Sequence, residues 1–362
     1  MIEYADIIVD LQYGDTGKGK IVNMALSTSP KEYDLVIRYN GGSNAGHTFF
    51  YNGVKVVTHQ VPVGVLYGIH SIIGPGCVVN LEKLEHELAE LRGIGIWSPE
   101  QLLYIDHRAH VVEEKHLDED AKDTAIGTTR QGIGPAYRDR TNRTGIRIGD
   151  LDMKTLYPTL QVTDIYSWLH TRGDRRVLCE GAQGFYLDNM WGDYPYVTSS
   201  HCTVASAIQN GIPFNRVRNV FGIAKAYETY VGNKTDFVPE SQQEYQTLFD
   251  IIGDVGKEIG ATTGRRRKVR FLNLDELIRA ININGVTHLV INKMDILDMV
   301  NIMPIAHNRG SVYQFVFDGK LVVHKSPEQF RDAIVSRLQQ KCPSLVGPGE
   351  RTQTIKFSYG EK

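Results

Sequence analysis

Short apolar runs rich in β-branched residues recur along the chain, and stretches with helical spacing separate several of them. The first run, Ala5 to Leu11, predicts a buried strand. Further strands are predicted at Asp34 to Tyr39, Ser71 to Ile73, Arg176 to Cys179, Asn219 to Ala224 and Thr287 to Asn292. Apolar positions three and four apart predict helices over Leu81 to Leu91 and Leu272 to Ile283, with a shorter one over Ile21 to Leu26. A last helix is predicted over Pro327 to Lys341, with Ser326 as N-cap, Pro327 at its first position and Phe330, Ile334, Val335 and Leu338 on one face. Asn52-Gly53 and Asp318-Gly319 predict two hairpin turns. The alternation implies an α/β fold, a mostly parallel central sheet with flanking helices and peripheral β-hairpins. No repeat, low-complexity tract or Pro/Gly/Ser linker divides the 362 residues, so one continuous domain over 1–362 is the simplest expectation.

Composition narrows the class of partner. The net charge is −2, with 40 Lys+Arg against 42 Asp+Glu, which argues against a global basic field for nucleic acid. No apolar run approaches membrane-spanning length, and Met1-Ile2-Glu3-Tyr4 lacks the pattern of a secretory leader, so a cytoplasmic location and small-molecule partners are expected. Cys77, Cys179, Cys202 and Cys342 are scattered without metal-ligand spacing and are expected to be buried free thiols.

The chemistry concentrates in glycine-rich stretches at predicted strand ends. Gly14-Asp15-Thr16-Gly17-Lys18-Gly19-Lys20 lies between the first strand and a helix, where backbone N–H groups and the helix dipole form a phosphate cradle with two lysines. The spacing fits G-x-x-x-x-G-K, but Ile21 stands where a P-loop carries its Mg²⁺-binding Ser or Thr, which leaves Asp15 as the candidate metal ligand. His47, in Gly41 to Thr48, follows the strand at Asp34; a lone histidine there is usually structural, but at the end of a parallel strand it can also donate to an oxygen that gains charge. Gly127 to Gly134 offers hydroxyls and backbone donors for an anion. Ala261 to Lys268 sets Arg265, Arg266 and Arg267 beside two threonines, which reads as a local carboxylate or phosphate site or as a solvated basic run. Asn292-Lys293-Met294-Asp295 follows a strand and has the N-K-x-D form with which GTP-binding proteins read guanine.

In their order along the chain these stretches resemble the adenylosuccinate synthetase family. The family's Q-W-G-D-E-G-K-G-K is similar to Gln12 to Lys20, its N-A-G-H-T to Asn44 to Thr48, and its I-G-T-T-x-x-G-I-G-P-A-Y to Ile126 to Tyr137. Glu180 to Gly184, Tyr194 to Ser200 and Gly260 to Arg267 continue the series. The resemblance implies a Mg²⁺-dependent ligase that phosphorylates O6 of a purine monophosphate and lets aspartate displace the phosphate. Asp15 would take the N1 proton and, with the Gly46 carbonyl, ligate Mg²⁺, while His47 would stabilise the charge in transfer. Thr16, Gly17, Lys18, Gly19, Gly46 and Thr48 would hold the donor nucleotide, with Arg267, Asn292, Lys293, Asp295, Gly347 and Gly349 around its remainder. Asp15, Asn44, Thr128, Thr129, Gln183, Thr198, Val231 and Arg265 would grip the purine monophosphate, and Arg143 would reach in from a second subunit, which requires a homodimer. Thr262, Thr263, Gly264, Arg265, Arg266 and Arg267 would take aspartate.

The departures from the family pattern point to one of its branches. Thr16 replaces a Glu, Val231 to Phe237 replaces V-G-A-G-P-F-P, Arg130-Gln131 replaces a Gly-Arg pair, and Val346 to Thr352 replaces S-T-G-P-D-R-T. Little sequence separates Asp150 from Glu180. These features resemble the phage branch, the 2-amino-2′-deoxyadenylosuccinate synthetases. That resemblance implies dGMP as substrate, ATP or dATP as donor, and a product for 2-aminoadenine DNA. Retention of Asp15 keeps IMP with GTP as the alternative. A non-ligating GTPase-like switch would use the first loop and Asn292 to Asp295, but leaves His47 and the arginines without a role.

Overall fold

The computed structural model describes residues 1–29, 31–260, 264–303, 311–345 and 355–359. Among the described residues, strand β1 (Ile2–Asp10) is central in a nine-stranded sheet in which every pairing is parallel. On one side of β1 lie Arg175–Glu180, β2 (Leu35–Arg38), His70–Ile73, Leu103–Asp106 and Gln161–Thr163, in that order; on the other lie Val217–Lys225, His288–Asn292 and Ile355–Phe357. Both faces are covered, as a parallel sheet requires. The two-residue side-chain period sends Ile7 and Val9 into one buried apolar cluster and Ile8 into the other, and it does the same with Leu35 and Ile37 against Val36. The expected α/β architecture is therefore the observed one.

The remaining elements depart from the sequence pattern in instructive places. Helix α1 spans Lys18–Thr28, so it starts three residues before the apolar period does and takes half of the glycine-rich loop as its first turn. The pattern from Leu272 divides into two elements: Lys268–Asn273 is a strand, and Asn273 then caps helix Leu274–Asn284 by accepting from Glu276 N–H at 3.2 Å. That strand belongs to a second sheet with Tyr227–Tyr230, Gln314–Phe317 and Lys320–Val323. Both hairpins form where expected. Asn52 and Gly53 (φ 49° and 78°) join β3 (His47–Tyr51) to β4 (Val54–Thr58), and Asp318 and Gly319 (φ 49° and 68°) make the other turn. All four cysteines are buried free thiols, and among the described residues no helix is long and apolar enough to cross a membrane.

The topology decides where the site lies. Five neighbouring strands end on the same edge of the sheet: β1, Arg175–Glu180, β2, Val217–Lys225 and His288–Asn292. The connections that follow them carry Asp15, Gln183, Asn44, Ala226 and Lys293 respectively. Ligands of open α/β sheets bind in that crevice.

The final helix runs over Pro327–Lys341 and is held at its start by Ser326, whose hydroxyl accepts from Gln329 N–H at 3.3 Å. Ser326→Ala should lower unfolding free energy by about 1 kcal/mol, read from the urea midpoint at unchanged slope. No shift in midpoint would remove the cap from the stability of this helix.

Candidate active site

The phosphate loop is built on a buried carboxylate. Asp10, the last residue of β1, is 1% exposed. Its Oδ1 accepts from Gln12 N–H (2.9 Å) and Gly14 N–H (3.3 Å), and its Oδ2 from Thr16 N–H (3.2 Å), the Thr16 hydroxyl (2.5 Å) and Lys18 Nζ (3.0 Å). Lys18 also donates to the Gln183 carbonyl. Left-handed backbone at Gly14, Asp15 and Gly17 (φ 86°, 56° and 100°) turns the chain around this anchor. Asn292 adds a second fastening, its Nδ2 donating to the Thr16 carbonyl at 2.8 Å. The loop from Gly181 packs so closely on this one that a Cβ at Gly184 would lie 2.4 Å from Gly14 N.

A cavity of about 460 Å³ opens above the loop. Asp15, Lys18, Asn44, Gly46 and His47 line its floor, Thr128, Thr129 and Val231 one part of the wall, and Gln183, Thr198, Arg265 and Arg267 the rest. Among the described residues neither side-chain amide atom of the buried Gln183 has a partner, which marks a place for a polar ligand. Asp15 is 38% exposed, and its Oδ2 accepts from Arg267 Nε (3.0 Å) and Nη2 (2.8 Å). Arg267 is in turn held by Glu258 through Nη1 at 2.6 Å. Glu258 is buried and meets Lys225 Nζ (2.8 Å) and the Tyr227 hydroxyl (2.7 Å). Burial alone would push the Glu258 carboxyl up, but Lys225 and Arg267 hold it down at about 2.

His47 opens β3 and is buried at the cavity floor, not free in the preceding loop. Arg38 Nη1 lies 3.0 Å from its Nε2 and 3.3 Å from its Nδ1. A guanidinium can only donate, so it meets a ring nitrogen that carries a lone pair, and the other nitrogen bears the proton. Burial, then the positive charges of Arg38 and Lys18, hold the His47 pKa well below the usual histidine range. Helix α1 pins the residue from above: a Cβ on Gly19 would come within 2.8 Å of the His47 Cβ.

A family model described as adenylosuccinate synthetase matches residues 7–163 and 153–342. The adenylosuccinate synthetase of Helicobacter pylori (strain Shi470) is 36% identical in a match that spans 82% of this chain and 80% of that protein. That of Chlorobium chlorochromatii (strain CaD3) is 37% identical, spanning 81% and 77%. The chain belongs to the adenylosuccinate synthetase family. Among solved structures, the fully ligated adenylosuccinate synthetase from Plasmodium falciparum superposes with a TM-score of 0.73 at 27% identity, covering 91% of this chain and 86% of that one. The cyanophage S-2L succinoaminodeoxyadenylate synthetase (PurZ), bound to dGMP and dATP as an energy donor, superposes with a TM-score of 0.67 at 25% identity, covering 93% and 99%.

Family membership makes the chain a carbon–nitrogen ligase of a Mg²⁺-dependent kind. The residues present fit that ion. Asp15 keeps a carboxylate oxygen outside its ion pair with Arg267, and it shares the cavity floor with Gly46, whose backbone carbonyl is a second hard oxygen.

The residues expected at the site fall into three groups. Asp15, Lys18, Asn44, Gly46, His47, Thr128, Thr129, Gln183, Thr198, Val231, Arg265 and Arg267 share the cavity. Thr16 turns its hydroxyl from the loop onto Asp10, and Gly17 and Gly19 of the loop, Thr48 and Asn292 lie outside the cavity lining. Lys293 donates to the Gly256 carbonyl at 3.1 Å, while the buried Oδ1 of Asp295 has no partner among the described residues. Gly264 has an open left-handed backbone (φ 65°), and Arg266 turns outward to Asp254 at 2.9 Å, so the arginine triplet splits. Arg143 is exposed at the C-cap of helix Ile133–Asn142, outside the lining. Thr262, Thr263, Gly347 and Gly349 lie outside the described residues.

Sequence reasoning missed Asp10, Arg38, Lys225 and Glu258. Three of them carried a usable signal: Asp10, Arg38 and Lys225 are charged residues at or near the C-terminal ends of otherwise apolar strands. Glu258 carried none.

A depressed His47 pKa has a definite sign. The folded protein keeps His47 neutral while the unfolded chain protonates it near pH 6.5, so stability is unaffected above that pH and falls as the pH drops below it. The His47 ring resonances should show no titration between pH 8 and 6 by NMR, and His47→Gln should flatten the loss of unfolding free energy below pH 6.5. A His47 titration step near 6.5 would contradict the buried neutral ring.

Proposed function

We propose that this ligase joins L-aspartate to C6 of dGMP, with ATP or dATP as phosphoryl donor, giving 2-amino-2′-deoxyadenylosuccinate. The observation that carries this reading is the length of the scaffold. The structural match takes in 99% of the cyanophage enzyme, whose structure holds dGMP and dATP, but 86% of the Plasmodium synthetase. The substitutions at Val231 to Phe237 support it by altering the wall of the purine cavity. Val231 lines the cavity, and Asn233 Nδ2 ties the neighbouring loop by donating to the Thr124 carbonyl at 2.8 Å.

The chemistry follows from the cavity floor. Asp15, whose Oδ2 pairs with Arg267, takes the proton from N1 of the purine and makes O6 nucleophilic. Neutral His47 donates its ring N–H to the oxygen that carries charge during phosphoryl transfer, a donor already fixed by Arg38 and α1. Mg²⁺, held by Asp15 and the Gly46 carbonyl, would neutralise charge on the donor phosphates. Arg265 and Arg267 present forked guanidinium groups to the carboxylates of aspartate, whose amine then displaces phosphate from C6. Asn44, Thr129, Gln183 and Thr198 hold the purine monophosphate, and Arg143 completes its phosphate site from the partner copy of a homodimer.

A second reading, IMP with GTP, has its own support. The bacterial relatives are adenylosuccinate synthetases, and among the described residues Asp295 Oδ1 is buried without a partner; guanine would meet that carboxylate with two N–H groups and adenine with one. Phosphate release with Mg²⁺ and aspartate, crossing dGMP and IMP against ATP, dATP and GTP, decides between the two. Turnover of dGMP with ATP or dATP is expected, and a preference for IMP with GTP would overturn the dGMP reading.

Asp15→Ala should abolish turnover without unfolding the protein, and His47→Ala should slow it by about two to four orders of magnitude; near-normal rates would remove the assigned role. Mixing inactive Arg143→Leu with inactive Asp15→Ala should restore roughly a quarter of wild-type activity, because mixed dimers hold one intact site. No recovery on mixing would place Arg143 outside the neighbouring site.

A further inference from the structure

Asp10 does more than close a strand. Its five donors come from one loop, and they divide that loop's polar groups into two sets. The N–H groups of Gln12, Gly14 and Thr16, alternate residues, all converge on the buried carboxylate. They are thereby withdrawn from any phosphate above the loop. The N–H groups of Lys18, Gly19 and Lys20, which open α1, are those a helix leaves without internal acceptors, and they remain for the donor.

The same carboxylate fixes Lys18. Its side chain is 5% exposed, and its ammonium sits between Asp10 Oδ2 and the Gln183 carbonyl, at the seam between the loop and the cavity where both Gln183 amide atoms lack a partner among the described residues. The Thr16 hydroxyl, on the same Oδ2, prevents that oxygen from rotating away from Lys18. Gly184 leaves no slack on the other side, since a Cβ there would lie 2.7 Å from Asp10 Oδ1.

We propose that Asp10 is a positioning residue for phosphoryl transfer: it sets the Lys18 ammonium at the junction of donor loop and purine cavity and directs the phosphate-facing half of the loop's amides. The proposal rests on the phosphoryl-transfer reading above but not on which purine is taken. Asp10 touches no substrate and acts through Lys18 and the loop.

Asp10→Asn keeps the shape but loses the charge and one acceptor. Donor affinity should fall about tenfold or more, as expected for losing hydrogen bonds to a charged group, with kcat lowered and the KM for aspartate unchanged. In a Lys18→Met background the same substitution should cost less than in the wild type, about threefold at most, because only the loop amides are then left for it to disturb. Donor affinity is read by calorimetric titration of ATP and GTP, which does not need ligation. A wild-type protein that binds a nucleotide but ligates no purine would sink the proposed function and leave this test standing. Unchanged donor affinity in Asp10→Asn, a full additional loss in the Lys18→Met background, or an equal rise of every KM would overturn the positioning role. Should Asp10→Asn not fold, Thr16→Val removes the hydroxyl on Oδ2 and keeps the charge. It should weaken donor binding about threefold or more with aspartate KM unchanged, and wild-type affinity in that variant would overturn the proposal.

Discussion

The site depends on one carboxylate being kept under the phosphate loop. A lone buried Asp at the end of a central strand is costly unless its oxygens are saturated, and here the loop itself supplies the donors to Asp10. The loop needs an acceptor for its inward N–H groups, and the carboxylate needs donors, so each fixes the other. Because Asn292 grips the same loop from a strand two places away in the sheet and Gly184 packs against it, one anchor carries order to three of the five strand ends that form the crevice.

A second polar chain runs from Asp15 through Arg267 to Glu258 and on to Lys225 and Tyr227. Its inner end is buried and fully paired, while its outer end meets the cavity at a partly exposed Asp15. The arrangement lets Arg267 keep its grip on Glu258 while its other nitrogens face either Asp15 or an incoming carboxylate. His47 is handled differently. It is dry, neutral and clamped between Arg38 and Gly19, and so is suited to donate a hydrogen bond without first changing its charge.

The α/β class, most of the central strands, both hairpins and the last helix were legible in the pattern of apolar and turn-forming residues, since these follow from local periods and from left-handed backbone at Asn-Gly and Asp-Gly. The phosphate loop was legible too, because glycine spacing between a strand and a helix reflects a backbone requirement. Leu272 shows the limit: it fits the helical period of the residues after it, yet pairs in a strand of the second sheet, where long-range contacts outweigh local preference.

The sequence by itself determined the family and the glycine-rich loops that reach the cavity, because these are properties of composition and order along the chain; it did not point to Glu119, Asp120, Asp123, Arg138 or Leu187, which line the cavity as well. Tertiary structure alone decided which charges meet. Arg265, Arg266 and Arg267 are adjacent in sequence, yet two face the cavity and one binds Asp254, as the local backbone and the carboxylates nearby dictate. Glu258 acquires its place from contacts with Lys225, 33 residues away in the chain, and Asp15 meets an arginine 252 residues away. Distances of that kind are set by how parallel strands are ordered in the sheet, and no local pattern encodes them.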